Sequence, residues 1–204
     1  MSITQITDNI GKPDNAYAIV SLLSASTNQQ VSNLLTQLSS ALGEIVWIMP
    51  KDALHITLCE IIQAKVYQEV KQVIYDRHSS EYENVTANIL RKFDPIRIIF
   101  DTIEVSPQAI IIKGNDDGSF QKIRKVLIDM LPLPSETKLP PNIIHISIAR
   151  FTKEVQLNEI EKIVEKYTIS IHETITEFQL VNNLTPPLLS YEVIRTYPLS
   201  KRFQ

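Results

Sequence analysis

Apolar and polar positions follow two periods along this chain. Tyr17, Ile19, Val20, Leu22 and Leu23 crowd Asn15–Ser24 densely enough for a buried strand. Val31, Leu34, Leu35, Leu38 and Leu42 then recur at the spacing of one helix face, and Gly43 stands where that helix would stop. Ile45–Met49 is β-branched and aromatic and predicts a strand. Pro50-Lys51-Asp52 predicts a turn, and Leu54–Ile62 a second strand. Val66, Val70, Val73 and Ile74 mark an amphipathic helix, interrupted or surfaced at His78–Glu81 and carried on by Ile89 and Leu90 towards Phe93.

The second half repeats the order. Ile96–Val105 and Gln108–Lys113 predict a hairpin about Ser106-Pro107, and residues 114–118 a loop. Ser119–Leu131 places Phe120, Ile123, Val126, Leu127 and Met130 on one helix face. Pro132–Pro141 is a proline-rich connector and Ile143–Arg150 a strand. Leu157, Ile160, Ile163 and Val164 give a last helix, followed by strands at Phe178–Asn182 and Tyr191–Tyr197. Short connections between strands favour antiparallel pairing, hence an α+β fold rather than a doubly wound parallel sheet. Each half offers a helix followed by an apolar strand that holds a histidine. Residues 1–15 read as a polar lead-in, and 16–204 as a single domain of two similar halves.

Composition narrows the function classes. With 44% apolar and 21% charged residues in 204, the chain can bury a core without a metal or disulfide. Its net charge of −3 argues against a general nucleic-acid binder. Four glycines supply neither a Walker loop nor a dinucleotide fingerprint. Cys59 is the one cysteine, so internal disulfides and Cys-cluster zinc sites are excluded. That lone thiol, the N-terminus without a secretory pattern and the lack of a long apolar run lead us to expect a cytoplasmic protein off the membrane; a monomer is expected as well.

All four histidines have Ser or Thr two places on: His55/Thr57, His78/Ser80, His145/Ser147 and His172/Thr174. Ser and Thr are common here, so the flanks must discriminate. Leu54-His55-Ile56-Thr57-Leu58 and Ile144-His145-Ile146-Ser147-Ile148 both alternate strictly. Each buries its even positions and presents imidazole and hydroxyl side by side, ~7 Å apart at Cα. His78 lies among Arg77, Ser79 and Glu81 and reads as solvated; His172, beside Glu173 in a less regular strand, reads as a decoy. A single His-x-Thr strand is usually a half-buried histidine beside a β-forming threonine. Two copies with apolar flanks, in corresponding places of two halves, point to a site.

This pair of motifs, His55-Ile56-Thr57-Leu58 and His145-Ile146-Ser147-Ile148, resembles the two-histidine (2H) phosphoesterase superfamily, which includes 2′-5′ RNA ligase-like proteins and RNA cyclic phosphodiesterases. Trp47-Ile48-Met49-Pro50 before the first motif, Ala149-Arg150 after the second, and Tyr191 with Tyr197-Pro198-Leu199 add to the likeness. The resemblance implies two pseudosymmetric lobes of antiparallel sheet, outer helices and a central cleft. It implies His55 and His145 as general acid and base, with roles that swap in the ligating direction. The partner would be a nucleotide or RNA terminus bearing a 2′,3′-cyclic phosphate or 2′-5′ linkage, with no metal and no cofactor.

The chemistry suits those residues. Histidine's pKa of ~6.5 gives both protonation states near neutrality. Thr57 and Ser147 hydroxyls would donate to the charge-gathering phosphoryl oxygens. Arg150 could add a charge-assisted bond, but strict alternation puts it out of phase with His145, so it needs a bulge or strand end to reach in. Tyr17, Trp47, Phe151 and Tyr197 could stack on a base, though core is the commoner fate of each. A nucleotide- or RNA-end-binding module without turnover is the alternative of another class. A His-based metal hydrolase would need carboxylates on the histidine face, and alternation puts Glu60 out of phase with His55.

Overall fold

The computed structural model describes residues 2–8, 10–64, 70–139 and 142–200. Among the described residues nine strands form one antiparallel sheet: β1 (Ala16–Leu22), β2 (Val46–Ile48), β3 (His55–Ile62), β4 (Ile96–Val105), β5 (Ala109–Asn115), β6 (Ile144–Phe151), β7 (Ile171–Ile175), β8 (Glu177–Thr185) and β9 (Ser190–Pro198). The spatial order is β7-β4-β5-β6-β3-β1-β8-β9, with β2 also paired to β6. The expected two lobes are therefore the two ends of one curled sheet, joined where β6 meets β3. That seam is thin: its only paired position among the described residues is Ile56 with Ile146, whereas β1 and β5 pair with their neighbours over several residues.

Four helices pack on the sheet: α1 (Ala25–Leu42), α2 (Lys71–Leu90), α3 (Ser119–Met130) and α4 (Leu157–Val164). In α1 the predicted stripe Val31, Leu34, Leu35, Leu38 and Leu42 is the buried face. Its start is fixed by Ser24, whose hydroxyl accepts from Thr27 N–H and donates to buried Glu173. Its end is Gly43, at φ 54, where a side chain would be strained.

Two expectations change. α2 runs unbroken through His78–Glu81, and its buried face is Ile74, Tyr75, Tyr82, Thr86, Ile89 and Leu90; Val70 and Val73 are exposed, and Val66 lies outside the described residues. Tyr75 stacks on Tyr17 of β1, ring centroids 4.1 Å apart, so aromatic packing sets the face rather than the valine stripe. The 171–175 segment is a regular strand that alternates buried and exposed, with His172 outward and Glu173 inward. The 1–15 lead-in is docked: Thr4 N–H donates to Val155 carbonyl, Thr7 N–H donates to Phe151 carbonyl, and Thr4 is buried.

Candidate active site

The two motifs fall on the neighbouring strands β3 and β6, at the centre of the sheet. Ile56, Leu58, Ile146 and Ile148 are buried beneath the helices, which forces His55, Thr57, His145 and Ser147 onto the opposite face, where all four are half-buried. Ile56 pairs with Ile146. Stepping one residue either way in an antiparallel pair sets His55 opposite Ser147 and Thr57 opposite His145. Directly opposed Cβ atoms lie ~5 Å apart and diagonal ones ~7–8 Å, so His55 and His145 are diagonal neighbours in this register. The two histidine motifs thus lie on adjacent strands of one sheet, not on separate walls.

Each imidazole is held from its own chain. His55 Nδ1 lies 2.7 Å from Ala53 carbonyl, and the His145 ring bonds Ile143 carbonyl, two residues back in both cases. A carbonyl can only accept, so the His55 Nδ1 carries the hydrogen and Nε2 is left free. Burial lowers both pKa values, and the Arg150 guanidinium lowers both further. His145 also feels Arg124 and His55, and falls to about 4.

The same irregularity occurs in both strands. Register slips between Ile110 and Ile111 of β5 leave Ile148 bulged, and slips between Ile19 and Val20 of β1 leave Leu58 bulged. Each bulge shifts the phase of the residues after it: Ile148 and Ala149 are both buried, as are Leu58 and Cys59. Arg150 therefore joins the histidine face, and its Nη2 donates to Ser147 Oγ at 3.4 Å. By the same device Glu60 joins it too, against the expectation from strict alternation. Glu60 pairs with Ala18, which shares a face with Val20 and Leu22, the partners of Thr57 and His55. Its charge opposes the fall that burial imposes on the Arg150 pKa. A Gln63 Nε2 donor at 2.7 Å holds its carboxylate. The signal for Glu60 was in the sequence: it stands five residues after His55, as Arg150 stands five after His145.

The flanks of this strip differ in chemistry. On the β3 side, Ala18, Val20 and Leu22 join Val181, Leu188 and Tyr191 in a small apolar cluster. On the β6 side, Lys113 is the register partner of His145, and its Nζ reaches Glu104 at 2.9 Å. Of the four candidate aromatics, Tyr17, Phe151 and Tyr197 are core, while half-buried Trp47 pairs with Arg150 and shares its face. His78 lies on α2 beside Glu81, and His172 is exposed on β7; neither reaches the strip. A groove of about 480 Å³ between α2 and α3, lined by Phe93, Lys122 and Met130 among others, shares no residue with it. Among the described residues no group of three or more His, Cys, Asp or Glu could hold a metal ion, and no helix is long and apolar enough to cross a membrane.

No family model and no curated protein matches the chain. Solved structures do. TT0787 of Thermus thermophilus superposes with a TM-score of 0.65 at 16% identity, over 90% of this chain and 97% of that one. LigT of E. coli, complexed with 3′-AMP, gives 0.66 at 12% identity, over 92% and 99%. A protein described as a phosphoesterase gives 0.63 at 14%, over 93% and 99%. The likeness covers nine-tenths or more of each chain, and at these identities it is one of fold: the chain has a LigT-like fold.

Proposed function

We propose that the chain is a phosphodiesterase that hydrolyses 2′,3′-cyclic phosphates or 2′-5′ linkages at nucleotide or RNA ends, with His55 and His145 as acid and base. The observation that carries this reading is the crossed quartet at the seam, His55 against Ser147 and Thr57 against His145. Water attacks phosphorus on one side while a ribose oxygen departs on the other, so the reaction needs two proton-transfer groups flanking one phosphate. His145, neutral at neutral pH, takes the proton from water; His55, protonated at Nε2 once a phosphate lies beside it, gives one to the leaving oxygen. Thr57 and Ser147 hydroxyls and the Arg150 guanidinium stabilise the charge on the non-bridging oxygens. The apolar cluster around Val20 and Tyr191 suits a base or sugar, and Trp47 beside Arg150 offers a stacking face. LigT, which shares the fold, has been crystallised with 3′-AMP, NADP+, ATP and phosphate, which supports a nucleotide as ligand.

The test is turnover of 2′,3′-cyclic AMP in EDTA. Activity is expected to persist there, and His55→Ala and His145→Ala should each lower kcat by ~10²–10⁴-fold. The double variant should be little worse than the worse single one, since the two act as a unit. His78→Ala and His172→Ala should keep the wild-type rate. Tight binding of the nucleotide without turnover would instead make the chain a binding module, and loss of rate in EDTA would revive a metal hydrolase.

A further inference from the structure

Arg124 belongs to α3, beneath the sheet, yet its guanidinium is spent on the seam. It is 4% exposed, and it bonds to the two motif strands and to its own helix. Nε donates to Leu58 carbonyl at 2.8 Å and Nη2 to Thr57 carbonyl at 3.0 Å, both on β3. Nη1 donates to Ile143 carbonyl at 3.1 Å, just before β6, and to Gln121 Oε1 at 3.2 Å. Its guanidinium carbon lies 4.8 Å from the Phe120 ring centroid. Burying a guanidinium is costly unless its donors are met, and these acceptors take four of its five N–H groups.

Two of those acceptors are informative. The bulge at Ile148 leaves a carbonyl that Met49 N–H takes at 3.0 Å. The equivalent carbonyl in the first half, at Leu58, is taken by Arg124, so one side chain does there what backbone does at Ile148 in the second half. The Ile143 carbonyl is also the acceptor of the His145 ring. Arg124 thus ties the backbone of Thr57 to the atom that orients His145, across a seam with a single paired position among the described residues.

We infer that Arg124 is a positioning residue: it fixes the His145 imidazole against Thr57 across the seam, and touches no substrate. The inference rests on the reading of His145 as the base. The guanidinium also adds positive charge beside that ring. The other charged groups facing His145 are Arg150 on its own strand, His55 on β3, and Lys113 on β5 with its partner Glu104 on β4.

The test pairs Arg124→Met, which keeps bulk and removes charge, with Arg124→Lys, which keeps charge but cannot span three carbonyls. His145 is followed by NMR titration, and kcat and KM are measured on 2′,3′-cyclic AMP. In Arg124→Met the His145 titration should move to higher pH and kcat should fall by ~10–100-fold with KM little changed, the signature of a misplaced group. In Arg124→Lys the titration should stay near the wild-type pH while kcat still falls. A merely structural arginine would lower the melting temperature in both and move neither the titration nor the ratio of kcat to KM; a folded Lys or Met variant with wild-type kcat overturns the inference. Should neither variant fold, the wild-type protein decides: the Arg124 Nη protons and the His145 ring N–H should be protected from exchange, and rapid exchange of either is disproof. Because the titration needs no turnover, a wild-type protein inactive on the cyclic nucleotide would sink the phosphodiesterase reading and leave Arg124 still tested.

Discussion

Acid should destabilise this protein through His145, and the size follows from its environment. Its folded pKa is about 4, against about 6.5 for an unperturbed imidazole, because burial and the Arg150, Arg124 and His55 charges disfavour the protonated ring. A depressed pKa means that the unfolded chain binds the proton first. The stability is complete above the unfolded value and drains away as pH falls from about 6.5 to about 4. A gap of two to three units at ~1.4 kcal/mol each gives about 3 kcal/mol in total, of which about 2 kcal/mol is gone by about pH 5. His55 adds loss of the same sign. Urea unfolding at about pH 7 and about pH 5, on wild type and on His145→Gln, reads the effect, with the titration of His55, which is coupled to His145, followed in both proteins. The wild type should lose about 2 kcal/mol more than the variant between the two conditions. Equal losses would show that His145 is not held neutral by the fold, and would undo the electrostatics argued for the seam.

A nucleotide monophosphate should take up protons as it binds near neutral pH, because a phosphate dianion raises both depressed imidazole values; calorimetry in buffers of different ionisation enthalpy measures this, and no uptake would refute it. Arg150→Ala should weaken binding of that ligand by about tenfold or more, with Arg150→Lys in between, whereas Glu60→Gln should tighten it by about a few-fold by removing an opposing charge. Unchanged affinity in Glu60→Gln would show that its carboxylate does not act on the site. Glu173→Ala removes the acceptor of both Ser24 N–H and Ser24 Oγ at the start of α1, and should cost about 1–2 kcal/mol in thermal unfolding with the hydrolytic rate unchanged.

What the sequence makes legible is whatever depends on period. Strict alternation around His55 and His145 sets two histidines and two hydroxyls on one face, and the helical stripe of α1 is the buried face. What it hides depends on a break in period. Nothing in the composition of Thr57-Leu58-Cys59 or Ser147-Ile148-Ala149 marks an extra residue; the bulges appear only against the partner strands β1 and β5. Arg150 could be left open and Glu60 set aside on the same alternation, and one structural device brings both in. α2 fails for a related reason: its core face is chosen by the Tyr17–Tyr75 stack, a long-range contact that a stripe of valines cannot report. Arg124 had no sequence signal, since it sits on α3 as one of several basic residues and acts through backbone carbonyls.

The duplicated bulge also explains why the two halves, alike in backbone, need not be alike in chemistry. Each places a fifth residue after its histidine on the site face, and this chain puts an acid in one half and a base in the other. Burial first, and the Arg150 guanidinium after it, lower the pKa of both imidazoles. In the proposed reaction, an anion between the histidines would favour their protonated forms, so the substrate itself would help to assemble the acid. A neutral ligand of the same shape would bind without arming the acid, which ties the chemistry of this seam to a charged phosphate.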